Sequence, residues 1–552
     1  MSSRCFRSLR LLLPLLATGL NLGAADAPAA GAPTLRWLLL ADSEEKAQQM
    51  SIGAGEANVL IEGIPLLDKA DFVKSIAPFF GQPITKEQIN ELGKVITAYV
   101  KKQDRVLVTV LAPDQSIGKG ELRLAVVLGR YKQLLFQGNR WFSARMLSDK
   151  LGIKAGEEVR LSTLEEAVNW ANTNPFRRVR VLINDLAATE PGKADLIVSV
   201  EEQMPLQIAA SYDNSGTDYL GKNHYSLSAQ YGNLWGQDHQ ISYQYTTTDR
   251  MKNFESHSLD YRLPLPWRHY LQATAAYVRV EPVIGNGDFT QKGTSLVADL
   301  RYLAPYETKN YTWEFSGGVD FKRSNNNLEF GGIFELYNTQ VDIAQLTLGT
   351  TVVRRDKRGA WVVAVNLNLS PGRVTNRNND ATFQGVRIAS KARYLQGSMQ
   401  LQRVIQLPMG CQTISTAVLQ RASTNLQSSE QMSIGGAGTV RGYSNRIFSG
   451  DEGVVITNEL QGPIWTRPFS KKPKAAALQM RPVVFFDYAH VVYKDRIPSD
   501  IPLDPLSSAG VGLRCAAGSN LNITADYGWQ ISRVWVPQKE HGMGYLRATL
   551  SY

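Results

Sequence analysis

The chain has 552 residues, of which 43% are hydrophobic and 20% charged, and its formal net charge is +10 at pH 7. This composition excludes a disordered or collagen-like chain, and three cysteines are too few for a disulfide-rich scaffold. After the N-terminal apolar run, no stretch approaches the roughly 20 apolar residues of a membrane-spanning helix, so a membrane role requires a β-barrel or a surface helix. The positive charge forms no basic run with interleaved aromatic residues, and we expect no nucleic acid partner.

The first 25 residues have the layout of a secretory signal peptide. Three arginines within the first ten residues precede the apolar run 11–20, and small residues at 23–25 offer a cleavage site before Asp26. We therefore expect a signal peptide over 1–25 and export of the mature chain. A short buried helix is the alternative, but it does not account for the basic flank.

The structure of the next segment, 26–56, is left open by the sequence. Its start is rich in alanine and proline, and the segment 35–40, apolar apart from Arg36, is followed by a polar stretch that ends at Met50. This pattern fits a linker with a short helix, and it also fits an additional strand.

Residues 57–203 contain an internal repeat. Gly63 and Gly138 lie 75 residues apart, and each ends a short apolar stretch that is followed by two segments of helical periodicity and two strand patterns. The helical segments are 70–80, 86–102, 144–151 and 162–172, and the strand segments are 106–111, 122–128, 179–184 and 195–201. We predict two small α+β modules of β-α-α-β-β order, at 57–129 and 130–203. The sheet edges of such modules can accept an extended peptide as an added strand.

From residue 204 to the C-terminus, apolar residues alternate with small or polar ones, as in half-buried strands. The alternation predicts sixteen strands, near 206–213, 224–232, 238–248, 255–263, 268–280, 291–302, 310–322, 338–353, 359–370, 393–407, 411–421, 453–463, 480–492, 506–516, 520–531 and 541–552. Short turns alternate with loops, and the long loops are predicted at 323–337, 371–392, 422–452 and 493–505. Trp235, Trp267 and Trp465 lie on the short-turn side.

Short turns on one side and long loops on the other are typical of an outer-membrane barrel, whereas a soluble β-sandwich has loops of mixed length. We therefore predict an all-β transmembrane barrel of 16 antiparallel strands over 204–552, wide enough for an aqueous lumen. Cys411 opens strand 11 and Cys515 closes strand 14, a separation of roughly 14 Å at the usual strand spacing. We expect no disulfide between them.

Asp487 is the residue of strand 13 whose placement matters most. It shares the parity of Val483 and Phe485, while Val484 and Phe486 have the other parity. A carboxylate that faces lipid is costly, so we expect Asp487 to point into the lumen and to meet a cation there.

Two motifs of the barrel region resemble those of a known family. Val440-Arg441-Gly442-Tyr443 lies in the long loop between strands 11 and 12. Phe485-Phe486-Asp487-Tyr488-Ala489 is similar to an F-x-D-x-G motif, with alanine at the last position. The sequences of segments 172–177 and 212–216 also resemble those of this family. With its two modules and its barrel, the chain resembles the POTRA (polypeptide-transport-associated) superfamily and, within it, the two-partner-secretion transporters of haemolysins and filamentous haemagglutinins.

This resemblance implies a monomeric transporter in the outer membrane, surrounded by lipid, with its POTRA modules in the periplasm. The modules would recognise an unfolded exoprotein, a large β-rich adhesin or cytolysin, and the barrel lumen would export it by two-partner, type V secretion. Asn174, Pro175 and Arg177 would bind this substrate, and residues 35–50, if helical, would plug the pore. Arg441 would hold Asp487 through two hydrogen bonds. The lock between loop and barrel would consist of Val440, Arg441, Gly442, Tyr443, Phe485 and Asp487.

Three other functions stay open. The first is a barrel-assembly insertase of the same superfamily, which would use the seam between strands 1 and 16. The second is a passive porin, for which two periplasmic modules would have no purpose. The third is an outer-membrane enzyme, which would need a catalytic motif. The run 436–438 lacks the third glycine and the following helix of a dinucleotide site, and the six histidines have no metal-ligand spacing. We expect no enzymatic activity, no cofactor and no metal.

Overall fold

The structure of the protein is a computed structural model that describes residues 33–52, 58–186, 190–217, 220–284, 289–308, 310–330, 334–468, 477–498, 500–536 and 541–552. The chain divides into two compact units, one up to Met204 and one from Pro205 onward. Within the described ranges, no helix has the length and apolar character needed to span a membrane. The predicted signal peptide lies outside the described residues.

The first α+β module of the first unit is built on a four-stranded sheet. Its strands are β1 (Trp37–Ala41), β2 (Val59–Glu62), β3 (Val108–Leu111) and β4 (Glu121–Leu128), in the order β2-β1-β4-β3. Its helices are α1 (Glu44–Gln49), α2 (Ala70–Ile76), which a 3-10 turn over Ala77–Phe79 continues, and α3 (Lys86–Lys102). Helices α2 and α3 cover one face of the sheet, where Phe72 and Leu92 are buried in the same core as Leu38 and Leu40.

The segment 26–56, predicted as a linker, a plug or an additional strand, supplies the central strand of this sheet. Strand β1 lies between β2 and β4 and runs parallel to both. Residues 38–40 are fully buried, and on the second face Ala47 of α1 packs with Ala41 and Ala125. An apolar run buried on both faces is typical of a central parallel strand. The additional strand is therefore the correct alternative for residues 37–41, and the linker or plug helix is wrong there.

The second module has the β-α-α-β-β order without an inserted strand. Its elements are β5 (Arg130–Gln137), α4 (Ala144–Leu151), α5 (Leu161–Ala171), β6 (Arg177–Asp185) and β7 (Lys193–Glu202), and its sheet order is β5-β7-β6. Strand β5 pairs parallel with β7, which pairs antiparallel with β6. In the first module the corresponding strands β2 and β4 are separated by β1. The two copies of the repeat therefore share the order of their elements along the chain, but the order of strands in their sheets differs.

The second unit is a closed antiparallel barrel with sixteen strands in its described residues, which confirms the prediction. The barrel strands, numbered 1 to 16 in chain order, are Leu206–Asp213, His224–Leu234, His239–Thr248, Phe254–Pro264, Tyr270–Val280, Phe289–Glu307, Tyr311–Phe330, Phe334–Asp356, Gly359–Pro371, Arg393–Gln406, Gln412–Ala422, Glu452–Gln461, Ala477–Val492, Leu506–Ala517, Leu521–Gln530 and Gly542–Ser551. Two short strands, Val283–Ile284 and Trp465–Pro468, add to the pairing of barrel strands 6 and 13. Cys411 and Cys515 are free thiols.

Alternation sorts the barrel side chains between the lipid and the lumen. Ile208 and Leu227 are 45% and 56% exposed on the outer surface, while their neighbours Gln207 and Ser228 line a cavity on the inside. The exposed indoles on the short-turn side, Trp235, Trp267 and Trp465, have the position of an interfacial aromatic girdle.

The loop predicted at 323–337 is wrong, because strands occupy most of it. Barrel strands 7 and 8 have 20 and 23 residues and pair with each other up to Phe330 and Phe334. A tilted strand needs about 9–11 residues to cross a bilayer, so this hairpin extends beyond the membrane. The polar run 324–327 is typical of a loop in its sequence, but its backbone is paired with the neighbouring strands. The loop after strand 9 contains a helix that was not predicted, α6 (Asp380–Val386).

Because β1 completes the core of the first module, we expect Leu40→Ala to destabilise that module by about 2–5 kcal/mol, the usual cost of truncating a buried leucine. Limited proteolysis of the full-length protein in increasing urea should show cleavage within 58–129 at a lower urea concentration than in the unchanged protein. Glu45→Ala, on the exposed side of α1, is the control and should not shift the curve. Equal resistance of Leu40→Ala and the unchanged protein would contradict an integral role for β1.

Candidate functional site

The loop between barrel strands 11 and 12, residues 423–451, is called the VRGY loop after its sequence at 440–443. Two short strands, Met432–Ile434 and Phe448–Gly450, pair antiparallel and make the loop a hairpin. Its buried apolar side chains form one cluster with inward-facing residues of barrel strands 12 to 14: Ile434, Val440, Tyr443 and Phe448 pack with Val455, Ala489, Val491 and Leu506. The hairpin therefore lies inside the barrel.

Arg441 at the tip of the hairpin is paired with Asp487 of barrel strand 13. Arg441 donates from Nε to Asp487 Oδ2 at 2.7 Å and from Nη2 to Oδ1 at 2.8 Å, and its backbone N–H donates to Oδ2 at 3.2 Å. The guanidinium lies 3.4 Å from the centre of the Phe485 ring. Arg441 is 5% exposed and Asp487 is fully buried. The two hydrogen bonds and the ring together fix the orientation of the guanidinium.

This pair belongs to a larger network of charges on the inner wall of barrel strands 12 to 15. Glu459 Oε1 accepts from Arg441 Nη1 at 2.7 Å and from Arg514 Nη2 at 2.9 Å. Arg514 Nη1 donates to Asp526 Oδ1 at 2.6 Å. Burial lowers the pKa of Arg441, but the hydrogen bonds and charge of Asp487 outweigh burial and raise it above its usual value. The loop guanidinium is therefore permanently charged in this site.

Gly442 and Tyr443 join the loop tip to barrel strands 15 and 16. Gly442 has a φ of +100°, and a Cβ at this position would lie 2.9 Å from the carbonyl oxygen of Gly528. Glycine is therefore required for the close approach. The Tyr545 hydroxyl accepts from the Gly442 N–H at 3.1 Å and donates to the Tyr443 carbonyl at 2.6 Å. The Tyr443 hydroxyl is bound to the Ser507 carbonyl at 2.9 Å. With Glu459 and Asp487, the tip thus contacts five consecutive barrel strands.

The other end of the hairpin is bound to a different part of the wall, through Glu430. This residue is 6% exposed, and Lys322 Nζ lies 2.9 and 3.2 Å from its two carboxylate oxygens. Gln345 Nε2 donates to Oε2 at 3.3 Å, and the Glu430 carbonyl accepts from Gln396 and Gln420 at 3.2 and 3.0 Å. These partners belong to barrel strands 7, 8, 10 and 11. The VRGY loop therefore has two separate attachments inside the lumen.

A third attachment, Asp451, joins the VRGY loop to its two neighbouring loops. Asp451 is fully buried and accepts from Arg387 Nη1 and Nη2 at 2.5 and 2.8 Å and from the backbone N–H groups of Leu426 and Lys494 at 2.8 and 3.0 Å. Burial raises the pKa of Asp451, but the Arg387 hydrogen bond and the two backbone donors lower it more, so it lies below its usual value. Arg387 follows α6, and Lys494 lies after barrel strand 13.

The loop that contains α6 is itself held against barrel strand 8. Asp342 accepts from Arg323 Nε at 2.7 Å and from Thr375 Oγ1 at 2.9 Å, and Phe383 of α6 is buried with Ile343 and Tyr394. The three loops after barrel strands 9, 11 and 13 are thus joined to one another and to the wall.

Asn174 and Pro175, predicted to bind a substrate, lie between α5 and β6, and Arg177, with the same predicted role, is the first residue of β6. Asn174 is fully buried, and its Oδ1 accepts from the Phe176 N–H at 3.0 Å. Arg177 is 5% exposed, donates from Nε to the last carbonyl of α5 at 2.9 Å and stacks on the Phe142 ring at 4.6 Å. These buried side chains hold the turn before β6, and their role in substrate binding stays a prediction. Pro175 is exposed.

No motif marks five of the charged residues that hold the loop: Glu430, Asp451, Glu459, Arg514 and Asp526. Those on barrel strands 12, 14 and 15 are charged residues at inward positions of alternating segments, and that parity is the signal by which they can be found. Among the described residues no group of three or more His, Cys, Asp or Glu side chains is placed to hold a metal ion. The carboxylates of this site are instead balanced by arginine and lysine.

Known proteins of similar sequence and fold are outer-membrane transporters. Over 408 residues the chain is 22% identical to the outer membrane transporter CdiB of Dickeya dadantii (strain 3937), which covers 73% of this chain and 71% of the relative. It is 24% identical over 247 residues to the outer membrane transporter CdiB-2 of Burkholderia pseudomallei (strain 1026b), or 43% of this chain and 41% of the relative. The solved structure of CdiB from Escherichia coli has the same fold, with a TM-score of 0.71 at 15% identity over 98% of this chain and 94% of that one.

Two family models match different parts of the chain. The model described as "POTRA domain, ShlB-type" matches residues 57–129, so β1 and α1 lie outside the match. The model described as "Haemolysin secretion/activation protein ShlB/FhaC/HecB" matches residues 192–515, which is more than half of the chain and includes the VRGY loop and barrel strand 13. The chain belongs to the ShlB/FhaC/HecB family of haemolysin secretion/activation proteins.

Proposed function

We propose that this protein exports one unfolded exoprotein through the lumen of its barrel. The family places the barrel in the outer membrane and the POTRA domains in the periplasm. The observation that carries the proposal is the VRGY loop, a hairpin held in the lumen by side chains while its two ends stay in the barrel ladder at Ala422 and Glu452. Such a hairpin narrows the lumen at rest and moves without disrupting the barrel.

The periplasmic step of the proposal uses the free edge of β6. Among the described strands β6 pairs only with β7. At the start of the free edge, the Asn172 side chain bonds the Val179 N–H at 2.6 Å and the Val179 carbonyl at 2.9 Å. Alternate residues of a strand direct their backbone groups to the same side, so Val181 and Ile183 present theirs at this edge. An extended segment of an exoprotein adds there as a further strand.

The partner in this proposal is a large β-rich exoprotein, an adhesin or a cytolysin. It crosses the barrel of a monomeric transporter in the unfolded state. The periplasm holds no ATP, so folding of the exoprotein at the cell surface supplies the driving force. The exoprotein must therefore stay unfolded until it leaves the lumen.

A barrel-assembly insertase is the second candidate, and the seam between barrel strands 16 and 1 favours it. Strands 15 and 16 share nine residue pairs, whereas strands 16 and 1 share five. The Asn214 side chain lengthens the seam, because its Oδ1 accepts from the Leu546 N–H at 2.8 Å and its Nδ2 donates to the Gly544 carbonyl at 3.0 Å. An insertase opens such a seam to the lipid, whereas a lumen transporter keeps it closed.

Deletion of the gene in the source cell distinguishes the two functions. We expect quantitative proteomics to show the loss of one or two large β-rich proteins from the culture supernatant, with other outer-membrane barrels at their normal level. Complementation with the unchanged chain is the control. Depletion of many outer-membrane barrels would instead support the insertase and contradict dedicated export.

The Arg441–Asp487 pair is expected to keep the loop in place. Removal of one partner leaves the other buried and unpaired, which typically costs about 3–5 kcal/mol. Arg441→Ala and Asp487→Ala should each increase the frequency of open events of the purified protein in planar bilayers and lower export. Arg446→Ala, at an exposed position of the same loop, is the control. Conductance and export like those of the unchanged protein in both variants would rule out the lock.

Glu430 is expected to act as an independent attachment of the same loop. Glu430→Ala removes the contacts with Lys322 and Gln345 and should also increase open events, and Glu430→Ala/Arg441→Ala should exceed either single variant. The measurement is single-channel conductance at one salt concentration for all variants. If the double variant behaves like Arg441→Ala alone, Glu430 does not hold the loop separately.

A further inference from the structure

The VRGY loop contacts only part of the circumference of the lumen. The VRGY loop is attached to barrel strands 7, 8, 10 and 11 through Glu430 and to barrel strands 12 to 16 through its tip. On the inner wall of barrel strands 1 to 5 lies a cavity of about 280 Å³. This remaining arc is where space is available beside the loop.

The cavity wall is formed mainly by uncharged polar side chains. Those that carry the argument come from the first four strands: Gln207, Ser228, Gln230, Ser242, Gln244 and Ser258. Among the described residues that line the cavity, the one with a charged side chain is Asp260. Its Oδ2 accepts from Gln272 Nε2 at 2.6 Å and from Thr274 Oγ1 at 3.0 Å, so this carboxylate is already held by the wall.

The chemistry of this wall suits an extended polypeptide of any sequence. Hydroxyl and amide groups donate and accept, so they pair with both the N–H and the C=O groups that an unfolded backbone exposes. A wall of unpaired charges would retain segments of opposite charge and repel those of like charge.

The outer end of this wall is next to the tip of the VRGY loop. Asn445, four residues after Arg441, donates from its side chain to the carbonyl of Ser215, which follows barrel strand 1. Movement of the loop tip breaks this contact and clears the outer end of the wall. The position of the loop and the space along barrel strands 1 to 5 are thus linked by a direct hydrogen bond.

We propose that the exoprotein crosses the barrel as an extended chain along the inner wall of barrel strands 1 to 5, with its backbone bound to the serine and glutamine side chains of that wall. The inference rests on the proposed function, because it assigns the path of the same exported chain. The contact is independent of the exoprotein sequence, and the VRGY loop controls the outer end of the path.

Large cations placed on the path test the inference. Ser228→Arg and Ser242→Arg should each lower export of the proteins that depend on this chain at least ten-fold, as measured by quantitative proteomics of the culture supernatant. Thr416→Arg, at the inward parity of barrel strand 11, is the matched control and should export normally. The amount of each variant in the outer membrane is measured in parallel.

A second variant covers the case in which an arginine prevents assembly. Ser242→Cys in a Cys411→Ser/Cys515→Ser background assembles first and is then modified in whole cells with a bulky maleimide. We expect modification to stop export, whereas the Cys411→Ser/Cys515→Ser background treated in the same way continues to export. Thr416→Cys in that background is the positional control.

The outcomes separate the path from the function. If the unchanged chain exports its partner and the modified Ser242→Cys protein exports equally well, the path is wrong and the proposed function stands. An equal block by modification at Thr416→Cys would also overturn the assignment to barrel strands 1 to 5. If no secreted protein depends on the unchanged chain, that result contradicts the proposed function itself.

Discussion

A carboxylate without access to water must have a cation or several hydrogen-bond donors, and this requirement organises the interior of the barrel. Asp487 and Asp451 are fully buried, and each is satisfied by an arginine that a loop carries to it. The loops are therefore positioned by the charges of the wall and of one another, since their own secondary structure is short. Removal of either cation leaves a buried charge that the barrel cannot solvate, so loop position and wall charge depend on each other.

Apolar packing gives the same loop a fixed shape. Val440 and Tyr443 are fully buried against barrel strands 12 to 14, the same part of the wall that holds Arg441. The hairpin is therefore able to move as a body, with its shape kept by its own two short strands. When the hairpin leaves the wall, water of the lumen replaces its ion pairs and hydrogen bonds, whereas the barrel ladder stays intact. The barrel is in this sense a rigid wall with one internal hairpin, whose tip is held through side-chain contacts.

The barrel was predictable from the sequence because lipid on one side and water on the other impose alternation on every membrane-crossing segment. Beyond the membrane this constraint ends, and the long hairpin of barrel strands 7 and 8 was missed where its sequence turns polar. The sequence leaves β1 undecided because a short apolar run such as 37–41 fits a central strand and a buried helix alike. Arg441 and Asp487 were found through motifs, whereas Glu430 was not, since Lys322 is 108 residues away and no local pattern connects them.

The inserted strand β1 has a practical consequence for exchanging domains between relatives. The family match for the first POTRA domain begins at residue 57, but the sheet of that domain is completed by residues 37–41. A chimaera cut at the family boundary would leave β2 and β4 on either side of an empty position, with apolar surface exposed where the buried residues 38–40 had been. A domain grafted from this protein should therefore include the segment from residue 33 onward. In the opposite exchange, a donor domain of β-α-α-β-β order placed in this protein would not pair with β1.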